Sequence, residues 1–170
     1  SIIVSDSVEV YISPVNDAPF ATNLSAAESY TEDTALNLTK IVITDVDSAN
    51  VTAKLTLSNN AAGALSTDTS GSVTSTYNAA TGVWSASGAL ADVNTLLAGV
   101  TFTPRLNFNA NFTVATSVSD GVAPAITGIK SFAGSAVDDE ATGTLGVKDA
   151  SEEGGSLVAA LTAATDADGG

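Results

Sequence analysis

The chain contains no cysteine and no histidine, and only 5 of its 170 residues are lysine or arginine. Without cysteine no disulfide staples the fold and no thiol is available for chemistry. A chain that folds without oxidation can also be exported freely. Losing histidine as well removes the usual nucleophile–base triads. The few cations face 19 aspartates and glutamates, for a formal net charge of −14. That excludes binding to a nucleic-acid phosphate backbone, which needs clustered cations, and argues against docking on an anionic membrane surface. No apolar run approaches the length of a membrane span, and no signal peptide is visible.

What the chain does have is order in its acids. Residues 31–48 read TEDTALNLTKIVITDVDS, opening with Glu32-Asp33 and closing with Asp45 and Asp47 around the apolar residues Leu36, Leu38, Ile41, Val42 and Ile43. The plan returns near the far end, where Glu152-Glu153 replaces the first pair and Asp166/Asp168 the second. A similar junction precedes each copy, PVNDA at Pro14–Ala18 and AVDDE at Ala136–Glu140. Asp17 and Asp139 lie 122 residues apart, and Asp45 and Asp166 lie 121 apart. Two landmarks at nearly one offset indicate an internal repeat whose period suits a whole domain rather than a solenoid unit. The repeat divides the chain into the last strand of a preceding unit (residues 1–15), one complete unit (16–137) and the opening of a following unit (138–170). It predicts a piece of a longer tandem array.

Within the complete unit, Val51, Ala53, Leu55 and Leu57 alternate with polar residues, as do Phe112, Val114, Thr116 and Val118. Such a period of two predicts strands with one wet face. Val8–Ser13 also alternates and stops at Pro14. Leu36/Leu38 and Ile41/Ile43 are out of phase by one residue, which predicts a bulge or bend near Thr39-Lys40. Residues 58–72 read as mostly loop, and Val73–Tyr77 with Val83–Ser87 as a hairpin around NAATG. Leu90, Val93, Leu96 and Leu97 recur at three-to-four spacing before Gly99, predicting a short helix over Ala89–Ala98. The final strand falls within Ile126–Val137. Many short strands and one small helix predict an all-β, Greek-key β-sandwich.

The succession PVNDAP, TEDTALNL, TDVDS, LADVNTLLAGVTFTP, SDG and AVDD resembles the dystroglycan-type cadherin-like (Ig-like) repeats of giant bacterial surface adhesins. The resemblance covers residues 16–137 and both flanking pieces. It implies an extracellular sandwich strung in tandem, with Ca²⁺ at the junctions between neighbouring repeats. It also implies secretion by a type I system, often with RTX repeats at the C-terminus, and a role in cell adhesion and biofilm formation against an unspecified target. Two features depart from related proteins. The glycine-rich nonapeptides of the RTX β-roll are absent, and the junction carries fewer acids than that of animal cadherins.

Residue chemistry leads to calcium independently, because Ca²⁺ takes six to eight oxygen ligands, chiefly carboxylates and carbonyls. Asp45 and Asp47 at i and i+2 point to one side of an extended chain. Glu32 or Asp33, Asp17 and the Asn16 amide oxygen are expected to approach them at one pole of the sandwich, with Asp120 serving the same or the next junction. In the following unit Asp138, Asp139, Glu152, Glu153, Asp166 and Asp168 take the corresponding places. Two carboxylates about 4–5 Å apart repel by roughly 3–4 kcal/mol at an effective dielectric near 20, a cost a divalent ion removes. Against this stands the plainer reading that Asp, Asn and Gly mark solvated turns; recurrence of the pairs at matching offsets favours calcium. Trp84, Tyr77 and Phe108 are expected in the core rather than on a sugar platform, and Asn107, Asn109 and Asn111 in a loop. The acid pairs lack an aromatic-lined cleft, so a glycosidase is not expected, and the chain is read as no enzyme. A calcium-stabilised extender module is the preferred function. The alternative is a carbohydrate- or protein-binding sandwich displayed on such an adhesin.

Overall fold

The computed structural model describes residue 11 and residues 13–138. Among the described residues, thirteen strands and one helix follow in order: β1 (Phe20–Thr22), β2 (Glu28–Thr31), β3 (Leu36–Asn37), β4 (Val42–Thr44), β5 (Asn50–Leu57), β6 (Gly63–Leu65) and β7 (Thr69–Ser70). Then come β8 (Val73–Thr74), β9 (Thr76–Asn78), β10 (Val83–Ala89), α1 (Leu90–Ala98), β11 (Thr101–Pro104), β12 (Phe112–Ser119) and β13 (Ile126–Ser135). The molecule is an all-β sandwich with one short helix. Its larger sheet has six strands in the order β2-β13-β12-β5-β10-β9, and β3-β11-β6 form a second sheet of three. The chain passes repeatedly between them, so β5 pairs with β10 and with β12, partners distant in sequence. The first and last strands of the large sheet, β2 and β13, lie side by side and parallel.

Alternation decides which residues face inward. Val51, Ala53, Leu55 and Leu57 of β5 are buried, as are Phe112, Val114, Thr116 and Val118 of β12. Phe102 of β11 reaches across from the smaller sheet to Phe112 and Phe132, with ring centroids 5.1 and 5.6 Å apart. Trp84 is fully buried and its indole N–H donates to the Ser66 carbonyl at 3.0 Å. Tyr77 and Phe108 pack against the same core. Val93, Leu96 and Leu97 bury one face of α1, which lies against β4, β5, β7 and β10.

Residues 58–72 are mostly loop, as expected, with the short strands β6 and β7 added where β6 finds a partner in β11 and β7 one in β8. The expected hairpin is shorter, with only Thr76–Asn78 pairing to β10, because Val73-Thr74 pair with β7 instead. The bend near Thr39-Lys40 is present as a break in the strand. Leu38 still donates to Val100 next to the smaller sheet, whereas β4 has left to pair with β1. The expected strand at Val8–Ser13 lies largely outside the described residues, and Tyr11 and Ser13 are in no strand.

The topology creates two poles. β12 and β13 are antiparallel, so the turn at Asp120 sits at one end of the sheet and the chain leaves β13 at the other. Residues 14–19 and the β4–β5 turn share the first end. The β2–β3 turn and loop 105–111 share the second. The 10 residues of β13 separate the poles by roughly 33 Å at about 3.3 Å per residue.

Candidate metal junctions at the two poles

At the N-terminal pole three segments converge. Asn16 donates through Nδ2 to Asp120 Oδ2 at 2.7 Å, joining residues far apart in the chain. The Asp17 backbone N–H donates to Asp47 Oδ2 at 2.9 Å. The Ser48 hydroxyl donates to Asn16 Oδ1 at 3.5 Å. Asp45 Oδ1 accepts from the N–H groups of Asp47 (3.1 Å) and Ser48 (2.8 Å). Asp120 Oδ1 likewise accepts from Val122 and Ala123, both at 2.9 Å. That turn continues through Gly121 at φ +87°, a conformation that glycine adopts without a Cβ penalty.

The Asp45–Asp47 stretch is therefore a bend and not the extended segment expected from its i, i+2 spacing. Accepting two backbone N–H groups folds Asp45 over its own chain as an Asx turn. The two carboxylates remain neighbours, and Asp45 also feels the charge of Asp120. The Ser48 N–H is the main influence holding the Asp45 carboxyl below the usual range, with partial burial opposing it. For Asp120 the Asn16 amide has the largest effect in the same direction, followed by the Val122 N–H. One oxygen is left over: Asp45 Oδ2 is buried without a hydrogen-bond partner. Ser48, which ties Asp45 to Asn16, was not anticipated from the sequence.

Glu32 and Asp33 do not join this cluster, which corrects the expectation of a single pole. β2 runs parallel to β13, with Thr31 opposite Ser135, so it carries both acids to the C-terminal pole, far beyond the 2.3–2.6 Å reach of a shared calcium ion. There Glu32 is completely buried. Its Oε1 accepts from the Val137 backbone N–H at 2.6 Å, and its Oε2 is buried with no partner. Asp33, at φ 58°, accepts from the N–H of Asn107, itself at φ 58°. Asp138 is exposed where the chain leaves this pole. The Asn loop is held by backbone contacts: Asn111 Oδ1 accepts from Gly134 N–H at 3.0 Å. A Cβ on Gly134 would collide with the Asn109 backbone. Asp139, Glu152, Glu153, Asp166 and Asp168 lie outside the described residues.

Two orphaned carboxylate oxygens, one at each pole, fit a hard cation in donor chemistry, since a buried charge without a partner is costly. Neither pole alone is a finished cage. Among the described residues no group of three or more acids is gathered so as to hold a metal. Among the described residues, no helix is long and apolar enough to cross a membrane.

No family model matches the chain, and no curated protein matches it either.

Proposed function

We propose that this unit is a calcium-stabilised extender of a large extracellular bacterial adhesin, one bead of a tandem array that holds adhesive parts away from the cell. The observation that carries this reading is the division of acids between two poles, with the chain entering at one and leaving at the other. Asn16, Asp17, Asp45, Asp47 and Asp120 gather at the first; Glu32, Asp33 and Asp138 stand at the second. In an array, the second pole of one unit faces the first pole of the next. Each half-site then supplies carboxylates that the other lacks. The residues suited to hold the ion are Asp45, Asp47 and Asp120 from one side and Glu32 and Asp138 from the other. Bound there, calcium would neutralise like charges that otherwise repel across the junction.

The alternative of a ligand-binding module has less support. A depression of about 670 Å³ on the outer face of the large sheet is lined by Lys54, Thr56, Ala115, Ser117 and Ile129, among others, and by no aromatic ring. Nothing there stacks on a sugar.

Calcium titration of thermal unfolding tests the proposal. At a free concentration about a hundred times the dissociation constant, mass action adds roughly 2.7 kcal/mol. Identical melting curves in calcium and in chelator, for two units joined in tandem, would sink it. Replacing Asp45 and Asp47 together by Asn should weaken binding while β-content by circular dichroism stays unchanged. Small-angle scattering of the tandem should show a shorter maximum dimension in chelator than in calcium.

A further inference from the structure

The poles carry apolar side chains as well as acids. Val46 is 84% exposed, Val122 73% and Val15 81%, all at the N-terminal pole; Leu106 is 77% exposed at the C-terminal pole and Val137 41%. A single exposed valine is ordinary. Here, however, five of the eight large exposed apolar residues named among the described ones sit at the two ends. The flanks of the sandwich are dominated by serine and threonine.

We infer that these residues form a direct head-to-tail seat: Leu106 of one unit packs against Val46 and Val122 of a second copy, so that the units touch through apolar surface and not through the ion alone. The inference rests on the tandem reading above and adds the contact that orders the junction.

Chain length brings the two poles together. Val137 N–H is tied to Glu32, which fixes the end of one unit at its C-terminal pole. Asp17 N–H is tied to Asp47, which fixes the start of a unit at its N-terminal pole. Val15 and Val137 hold the same place in the two junction motifs, just as Asp17 and Asp139 do. In a following copy built like this one, the second anchor falls two residues after the first, a span of about 7 Å at most. With the poles held that close, water between Leu106 and the facing valines is squeezed out. Burial of their apolar surface is then favourable whether or not an ion is present. The acids oppose it, which is why the seat and the cation act together.

The cysteine-free chain allows a direct test. Residues 16–137 contain a closed core, so a tandem chain is made by joining Val137 to Asn16 of a second such copy. Leu106→Cys in the first copy is paired with Val46→Cys or, separately, Val122→Cys in the second. The reference pair is Leu106→Cys with Ser131→Cys on the outer sheet face of the second copy. At least one pole pair should form its disulfide about tenfold or more faster than the reference, reflecting a higher effective concentration. The excess should persist, though reduced, in chelator. If both pole pairs oxidise no faster than the reference while calcium still raises the melting temperature, the seat is wrong and the calcium junction stands. Fast pole pairs in a tandem whose melting ignores calcium would uphold the seat and overturn the calcium reading. A pole-pair rate that drops to the reference in chelator would also overturn the seat, since the ion alone would then bring the poles together.

Discussion

Asn94 and Ile43 hold each other by two hydrogen bonds: Ile43 N–H donates to Asn94 Oδ1 and Asn94 Nδ2 donates to the Ile43 carbonyl, both at 2.8 Å. β4 pairs on one side only, with β1, and Ile43 is 1% exposed. The helix side chain therefore completes a strand edge that has no further neighbour among the described residues. Asn94→Ala should leave two backbone groups unpaired and cost roughly 2–6 kcal/mol, at about 1–3 kcal/mol per orphaned group. Urea unfolding measures it; a loss below about 0.5 kcal/mol would mean that water replaces the amide there.

A second prediction concerns the buried ion pair. Lys130 Nζ lies 2.8 Å from Glu28 Oε1, with both side chains almost completely enclosed. The Glu28 carboxylate also accepts from the N–H and hydroxyl of Thr39, at 2.9 and 3.0 Å. The network ties the first and last strands of the large sheet to the bend between β3 and β4. Lys130→Met alone should destabilise by about 3–5 kcal/mol, because it strands a buried carboxylate. Adding Glu28→Gln should recover part of that loss, since a neutral amide still accepts from Thr39. Additive losses in this double-mutant cycle would show that the two residues are not coupled.

Leu97 is 3% exposed on the inner face of α1. Leu97→Ala should cost about 2–5 kcal/mol through lost burial and the cavity left behind. A cost below about 1 kcal/mol, read by chemical denaturation, would place the helix outside the core.

The acid limb of stability follows from Asp120 and Asp45. Both carboxyls are held below their ordinary range, Asp120 chiefly by the Asn16 amide and Asp45 chiefly by the Ser48 N–H. A lowered folded-state value favours the ionised form in the native protein. The resulting stability is fully present above the unfolded carboxylate pKa of about 4 and disappears as pH falls through the folded value. Metal-free protein should accordingly weaken only below about pH 4. Asn16→Ala should move the Asp120 titration, followed by carboxyl carbon NMR, back toward the ordinary range. An unmoved Asp120 curve would contradict the assigned cause.

Much of this protein follows from sequence alone, and the reason is periodicity. Alternation at 51–57 and 112–118 is local, and each strand can satisfy it only by turning the same residues inward. The same holds for the three-to-four spacing of Val93, Leu96 and Leu97. Trp84 declared itself as core by its apolar neighbourhood. Asp17 and the Asp45–Asp47 pair were legible as candidates because they recurred at matching offsets, and Asp120 because it closes a strand just before Gly121.

Tertiary structure decided the rest, because pairing between distant segments has no local signature. No spacing rule says that β2 runs parallel beside β13, yet that pairing alone sends Glu32 and Asp33 to the pole opposite Asp45 and Asp47. Lys130 and Glu28 each look like surface charges in a β-rich stretch. Only the register, which sets both on the inner face of adjacent strands, makes them a buried pair. Asn94 reads as one more polar position on a short helix until β4 is laid against it. Hydrophobic period fixes which way a side chain faces within its own strand; what it meets there depends on the partner strand, and that is chosen by the packing of the whole.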